Sequence, residues 1–184
     1  DGHLNFDNNV TRFRNYINWV FAEYAIKCNS IGNFLSVGIS YGTSLKVICH
    51  LLDEKINNTK YFLVDNYKNV GNAYYNTDVV NVKKDLKNIK NFEFIFLEEL
   101  LTESSLNKIE NNLIFTHLNT GNFEIEFKFL PELINKTKNN GIIVIDNYGF
   151  WGQSQQEMFN NYISKTSNLL KIVMPSLQCI IIKV

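Results

Sequence analysis

The first part of the chain carries apolar side chains at helical spacing. Over Phe6–Cys28 these positions are Phe13, Ile17, Val20, Phe21 and Tyr24, and polar residues such as Arg14, Asn15 and Asn18 lie between them. This periodicity predicts an amphipathic N-terminal helix that packs on a core through its apolar positions.

After this helix, short apolar runs alternate with amphipathic stretches. The runs predict strands at Asn33–Val37, Tyr61–Val64, Phe92–Leu97, Leu113–His117 and Gly141–Ile145. The stretches between them predict helices at Thr43–Asp53, about Asn72–Leu86, Ser104–Ile109 and Phe123–Thr137. Near-continuous apolar strands that are separated by helices indicate a parallel sheet covered on both faces.

The last part of the chain predicts one more helix and a hairpin. The helix covers about Gln153–Lys165, and the turn Pro175–Gln178 separates two apolar runs at Leu170–Met174 and Cys179–Val184. Because so short a connection suits antiparallel strands, we expect the last strand to enter antiparallel at or near the sheet edge. The fold class is therefore a single α/β domain over residues 1–184, with a doubly wound, mostly parallel seven-stranded sheet.

Charge and cysteine content exclude some classes of function. Lys plus Arg and Asp plus Glu each number 18, so the chain lacks the basic excess of a general nucleic-acid binder. No apolar run reaches the roughly 18–20 residues of a membrane helix, and we expect no membrane span. The cysteines Cys28, Cys49 and Cys179 are odd in number and far apart, which favours reduced thiols and a cytoplasmic protein.

The turn after the first predicted strand contains the first candidate binding residues. In an open α/β sheet, ligands bind where the carboxyl ends of the strands meet. Gly38 and Gly42 allow a tight turn and a close approach of backbone to ligand, with Ser40 between them. Thr43 or Ser44 can cap the next helix, whose free N–H groups favour a carboxylate or phosphate. The alternative is a glycine turn that binds nothing.

Polar residues also follow the other strands. Asp65 comes directly after the second strand, where an acid accepts hydrogen bonds from ribose hydroxyls in nucleoside-binding sheets; the alternative is a local cap. His117 ends the fourth strand, and such a residue is more often a hydrogen-bonded core histidine than a catalyst. Asp146 follows the buried fifth strand, where a carboxylate needs a partner because burial of a charge is costly.

These stretches resemble the class I S-adenosylmethionine-dependent methyltransferases, and within them the macrocin O-methyltransferase (TylF-like) family. The resemblance covers about Asn33–Val184 and is carried by VGISYGTS, LVDNYKN, HLNTGNFE and GIIVIDNYG. It implies a Rossmann-like methyltransferase fold that binds S-adenosylmethionine. The implied cofactor-binding residues are Gly38, Ser40, Gly42, Thr43, Ser44, Asp65, Asn66 and Asn119, and Glu98 or Glu99 is expected at the adenine end.

The resemblance also implies a magnesium site, and here the sequence departs from the family. Family members hold the ion through acids of the last two stretches, where this chain has Asn119, Gly121 and the pair Asp146–Asn147. Magnesium prefers several charged oxygens, so we expect a weak or lost site. Asp146 is the first candidate for a general base and His117 the second, while Asn119 stands at a catalytic position without a group that can accept a proton.

The resulting hypothesis is an O-methyltransferase that acts on a hydroxyl of a small molecule or sugar. The alternative is a degenerate methyltransferase fold that binds a nucleoside without turnover, which the replaced acids motivate. A dinucleotide oxidoreductase is disfavoured because the loop lacks the three-glycine spacing. We expect neither a nucleic-acid nor a membrane partner, and the N-terminal helix packs either within the monomer or against a second copy in a homodimer.

Overall fold

The computed structural model describes residues 8–39, 42–66 and 79–184. The helices are α1 (Asn8–Cys28), α2 (Thr43–Leu52), α3 (Val79–Leu86), α4 (Glu103–Lys108), α5 (Phe123–Lys136) and α6 (Gln153–Ser164). The strands are β1 (Asn33–Val37), β2 (Thr59–Val64), β3 (Phe92–Leu97), β4 (Leu113–Leu118), β5 (Thr137–Ile145), β6 (Leu169–Val173) and β7 (Cys179–Lys183). The predicted starts of the first and third helices, before Asn8 and Val79, lie outside the described residues.

Several element boundaries differ from the sequence prediction. The predicted helix Thr43–Asp53 ends at Leu52, and a 3₁₀ turn follows at Asp53–Lys55. Strand β5 begins at Thr137 rather than Gly141, and its pairing with β4 shifts register between Leu113 and Phe115. The first residues of β5 are polar, so the pattern of apolar residues did not predict this part of the strand.

The seven strands form one sheet in the order β3-β2-β1-β4-β5-β7-β6. Strands β1 to β5 are parallel, and β7 pairs antiparallel with both β5 and β6. The hairpin prediction is therefore confirmed, with β7 one strand inside the edge. The strand order reverses between β1 and β4, which makes the carboxyl ends of these strands the expected ligand position.

Helices cover both faces of the sheet, as predicted. On one face α5 and α6 bury residues such as Leu130 and Phe159 in a first apolar cluster. On the other face α1, α2 and α3 contribute Ala22, Ile48 and Val82 to a second cluster. The sheet is thus apolar on both sides, which explains its near-continuous hydrophobic strands.

The inward face of α1 differs from the prediction. Ile17 is buried as expected, but Phe13 and Tyr24 are exposed, and the small residues Ala22 and Ala25 contact the core instead. The residues between the apolar positions include Asn15 and Asn18, and both are buried. A polar side chain is tolerated there because it finds hydrogen-bond partners, which periodicity alone does not reveal.

Hydrogen bonds continue past the strand ends and fix the loops at the carboxyl edge. The amides of Gly38, Asn119 and Asp146 donate to carbonyls of Val64, Val37 and Leu118, each at 2.9 Å. The loops after β1, β4 and β5 are therefore held in register with the neighbouring strands β2, β1 and β4.

Cys28 is an exposed free thiol, and Cys49 and Cys179 are buried free thiols. Among the helices of the described ranges, none combines the length and apolar character that a membrane crossing requires.

Candidate functional site

A cavity of about 190 Å³ lies at the carboxyl edge between α1, the start of α2 and the ends of β1, β4 and β5. Its lining consists of Thr11, Arg14, Asn15, Ser36, Ile39, Thr43, Ser44, Leu45, His117, Asn119 and Asp146. Five residues that the sequence analysis singled out thus meet in one place: Thr43, Ser44, His117, Asn119 and Asp146. Helix α1 adds three residues that the sequence analysis assigned no function.

The glycine turn after β1 contains two residues with positive φ. Gly38 has φ 78° and Gly42 has φ 69°. A Cβ on Gly38 would lie 2.3 Å from the carbonyl oxygen of Asn119, so the loops after β1 and β4 pack backbone against backbone here. A Cβ on Gly42 would meet nothing closer than 3.6 Å. At position 38 glycine is therefore needed both for the positive φ and for the close packing of the two loops. At position 42 it is needed only for the positive φ.

The expected capping of α2 by Thr43 or Ser44 is wrong. Gly42 occupies the N-cap position without a side-chain bond, and Thr43 is the first helical residue. The Ser44 hydroxyl instead donates to Oδ1 of Asn15 at 2.6 Å and so ties α2 to α1. Ser40, another predicted binding residue, lies outside the described residues.

Asp65 contacts the glycine turn from the end of β2. Its Oδ2 accepts a hydrogen bond from the backbone N–H of Ile39 at 2.7 Å. The carboxylate is thus held beside the turn, as a residue that binds the same ligand would have to be. Asn66 follows it in the chain and does not line the cavity.

Glu98 and Glu99 lie away from the cavity, at the end of β3. Glu98 pairs with Lys83 at 2.9 Å and Glu99 with Lys108 at 2.6 Å. Exposed ion pairs of this kind contribute little to stability and exchange readily. The expected adenine contact is neither formed nor prevented by this geometry.

Asp146 and His117 form a buried pair at the floor of the cavity. Oδ2 of Asp146 lies 3.0 Å from Nε2 of His117, and Oδ1 accepts from Nε2 of Gln178 at 2.5 Å. Burial raises the pKa of the carboxyl, but the charge and hydrogen bond of His117, together with Gln178 and the charge of Arg14, lower the pKa overall. Asp146 is therefore an ionised carboxylate whose two oxygens are both engaged.

Gln178 and Asn18 extend this pair into a buried network. Asn18 accepts from Nε2 of Gln178 at 2.8 Å, donates to the Ser44 hydroxyl at 3.2 Å, and lies 3.3 Å from Nε2 of His117. Sequence reasoning missed Gln178, although a signal existed. An antiparallel β7 must begin beside the end of β5, so the residue before Cys179 reaches the carboxyl edge.

The residues at the expected magnesium site do not fit the ion. Nδ2 of Asn147 donates to Oδ1 of Asn119 at 3.0 Å, so the two amides bind each other. Both carboxylate oxygens of Asp146 are engaged, by His117 and by Gln178. Gly121 has no side chain that could bind the ion. Within the described ranges, no group of three His, Cys, Asp or Glu residues could hold a metal ion. Neutral amides and an engaged carboxylate repay little of the lost hydration of magnesium.

Glu126 is a second buried carboxyl near the site that sequence reasoning missed. Its Oε1 accepts from the amide and the hydroxyl of Thr120, both at 2.8 Å, and so holds the loop after β4. Its Oε2 is buried without a partner among the described residues. Burial raises the pKa of Glu126 against the effect of these hydrogen bonds. Its helical spacing from the buried residues Phe123 and Leu130 was the available signal.

The mostly parallel seven-stranded sheet with its antiparallel C-terminal hairpin has the Rossmann-like fold that solved methyltransferase structures also show. Three solved structures illustrate the likeness. The O-methyltransferase NovP has a TM-score of 0.70 at 13% identity, with 92% of this chain and 79% of that chain covered. CalS11, a TDP-rhamnose 3′-O-methyltransferase, has a TM-score of 0.71 at 10% identity, with 93% and 79% covered. The SAH-bound methyltransferase PaMTH1 of Podospora anserina has a TM-score of 0.59 at 12% identity, with 89% and 76% covered.

No protein-family model and no curated protein sequence matches the chain. At identities this low, the structural likeness establishes the fold, and the activity has to be argued from the site.

Proposed function

We propose that the protein is an S-adenosylmethionine-dependent methyltransferase that methylates a hydroxyl group of a small molecule, with sugars as the first acceptors to test. The observation that carries the proposal is the contact of Asp65 with the glycine turn, at the edge where the strand order reverses. The names of two structural neighbours add support, since NovP is an O-methyltransferase and CalS11 acts on TDP-rhamnose.

The residues at this edge fit the cofactor. In the proposal Gly38, Gly42 and Ser44 hold its methionine end, and Asp65 accepts hydrogen bonds from its ribose. Arg14 lines the cavity, and its Nη2 is buried without a partner among the described residues, so this residue brings a donor that a ligand would satisfy. When bound, S-adenosylmethionine supplies an electrophilic methyl group.

His117 is the proposed general base, with Asp146 as the group that orients it. A carboxyl whose pKa is lowered is a weak proton acceptor, which reverses the order of candidates expected from sequence. In the neutral form of His117, which is the form that can act as a base, Nε2 donates to Asp146 and the other ring nitrogen carries the lone pair that takes the proton of the acceptor hydroxyl. The negative charge of Asp146 then stabilises the imidazolium that forms.

The test is formation of S-adenosylhomocysteine in the presence of a panel of free and nucleotide-linked sugars. His117→Gln is expected to lower the rate by about 10²–10⁴, the usual contribution of a general base. Its affinity for S-adenosylhomocysteine should stay within about threefold of the wild type, because general-base catalysis does not require ground-state binding. An unchanged rate in this variant would remove His117 from the mechanism.

A second candidate is a nucleoside-binding module without turnover. The observation in its favour is the hydrogen bond from Asn147 to Asn119. The family that the sequence resembles has acids at these positions. Tight S-adenosylhomocysteine binding together with no methyl transfer to any acceptor of the panel would favour this candidate over the enzyme.

A further inference from the structure

Arg14 lines the cavity and brings a positive charge to it. Its Nε donates to the carbonyl oxygen of Ser176 at 2.9 Å, and its guanidinium lies 5.1 Å from the ring centroid of Phe150. Its Nη2 is buried and has no hydrogen-bond partner among the described residues. These contacts set the direction of the guanidinium before any ligand arrives, which lowers the entropy lost on binding.

No carboxylate of the described residues neutralises this charge by a direct contact. Within the described ranges, Arg14 forms no ion pair with a carboxylate. Asp146 is close enough for Arg14 to lower its pKa, but both of its oxygens are engaged by His117 and Gln178. A buried guanidinium donor without a partner favours an anionic ligand group, because carboxylates match its planar geometry.

The size and position of the cavity narrow the choice of anion. About 190 Å³ is less than the roughly 300 Å³ at which pockets for whole drug-sized ligands begin, so it suits an end group. The same lining includes Ile39, Thr43 and Ser44, which belong to the glycine turn and the start of α2. An anion here is therefore next to the turn that the proposed function assigns to the cofactor.

We infer that Arg14 binds the amino-acid carboxylate of the S-adenosyl cofactor and of its homocysteine product. This inference rests on the proposed function and adds a residue from α1 to the cofactor site. It uses the α1 wall of the cavity, whereas His117 and Asn119 belong to the wall formed by β4 and its following loop.

The test compares two ligands by calorimetry, S-adenosylhomocysteine and 5′-methylthioadenosine. Both carry the same nucleoside, and only the first carries the carboxylate. The wild type should prefer S-adenosylhomocysteine by at least about tenfold, and Arg14→Gln should reduce that preference to about threefold or less through weaker binding of this ligand. Arg14→Lys keeps the charge without the planar fork and should retain an intermediate preference.

Arg12→Gln is the matched control, since Arg12 is an exposed arginine on the same helix and should leave both affinities unchanged. Equal weakening of both ligands by Arg14→Gln would overturn the inference and leave Arg14 a support of the Ser176 turn. Unchanged affinity for S-adenosylhomocysteine would overturn it as well. If Arg14→Gln does not fold, Arg14→Lys decides alone, and a preference equal to the wild type overturns the inference. A wild type that binds neither ligand would overturn the proposed function together with the inference.

Discussion

Two buried carboxyls near the carboxyl edge have pKa values shifted in opposite directions. The pKa of Asp146 is lowered because His117, Gln178 and Arg14 outweigh its burial. The pKa of Glu126 is raised because burial outweighs its hydrogen bonds with Thr120, and the charge of Asp146 adds to the rise. Burial among different neighbours thus makes one carboxyl group a stable charge and makes the charged form of the other unfavourable.

Glu126→Gln is expected to change how stability depends on pH. A carboxyl with a raised pKa in the folded state binds a proton more tightly there than in the unfolded chain. Its contribution to stability is therefore fully present below the ordinary value of 4.5 and is lost as pH rises through the raised pKa. Urea denaturation should show that the variant gains stability relative to the wild type between pH 4 and pH 7.

Glu124→Gln is the control for this experiment, because Glu124 is exposed in the same helical turn. It should change stability by no more than about 0.5 kcal/mol at either pH. If Glu126→Gln were less stable than the wild type by more at pH 7 than at pH 4, the charged form of Glu126 would be the stabilising one, contrary to this account.

Sequence reasoning identified the site residues that lie at the end of a strand or directly after it. His117, Asn119 and Asp146 are such residues, and all line the cavity. Arg14 was missed because its position depends on a contact with Ser176, at a separation of 162 residues in the chain. Local patterns carry no information about such contacts.

At the scale of elements, the packing of the turn after β1 against the loop after β4 can be tested with two glycines. Gly38→Ala and Gly42→Ala both place a side chain at positive φ, which costs about 1–2 kcal/mol. Only Gly38→Ala adds a backbone clash, with its Cβ 2.3 Å from the Asn119 carbonyl oxygen. Chemical denaturation should therefore show Gly38→Ala to be less stable than Gly42→Ala by about 1–3 kcal/mol. Equal losses would mean that the two loops separate at little cost.

The contacts between the loops after β4 and β5 predict that methyl transfer does not require magnesium. Asn119 and Asn147 bind each other and leave Asp146 as the one charged oxygen ligand of the three expected. Methyl transfer should therefore persist in EDTA, and isothermal titration with magnesium should show no binding at millimolar concentration. Asn119→Asp combined with Asn147→Asp restores two charges and should strengthen magnesium binding at least about tenfold. A loss of activity in EDTA that magnesium reverses would contradict this prediction.

At the scale of the whole molecule, periodicity was sufficient for the fold. Every predicted strand is found, because a sheet covered on both faces demands apolar residues along each strand. The antiparallel pairing of β6 with β7 followed from the short turn at Pro175–Gln178. The periodicity did not predict which face of α1 packs on the sheet, because this helix exposes aromatic residues and buries asparagines.

The central claim is that the edge between Gly38 and Asp65 binds an S-adenosyl ligand. Isothermal titration of the wild type with S-adenosylhomocysteine tests it most directly, with Asp65→Ala as the site variant and the exposed Glu54→Ala as its control. We predict saturable binding to the wild type. Asp65→Ala should weaken this binding by about 1–3 kcal/mol, and Glu54→Ala should leave it unchanged. Absence of binding to the wild type, or equal affinity in Asp65→Ala, would contradict it.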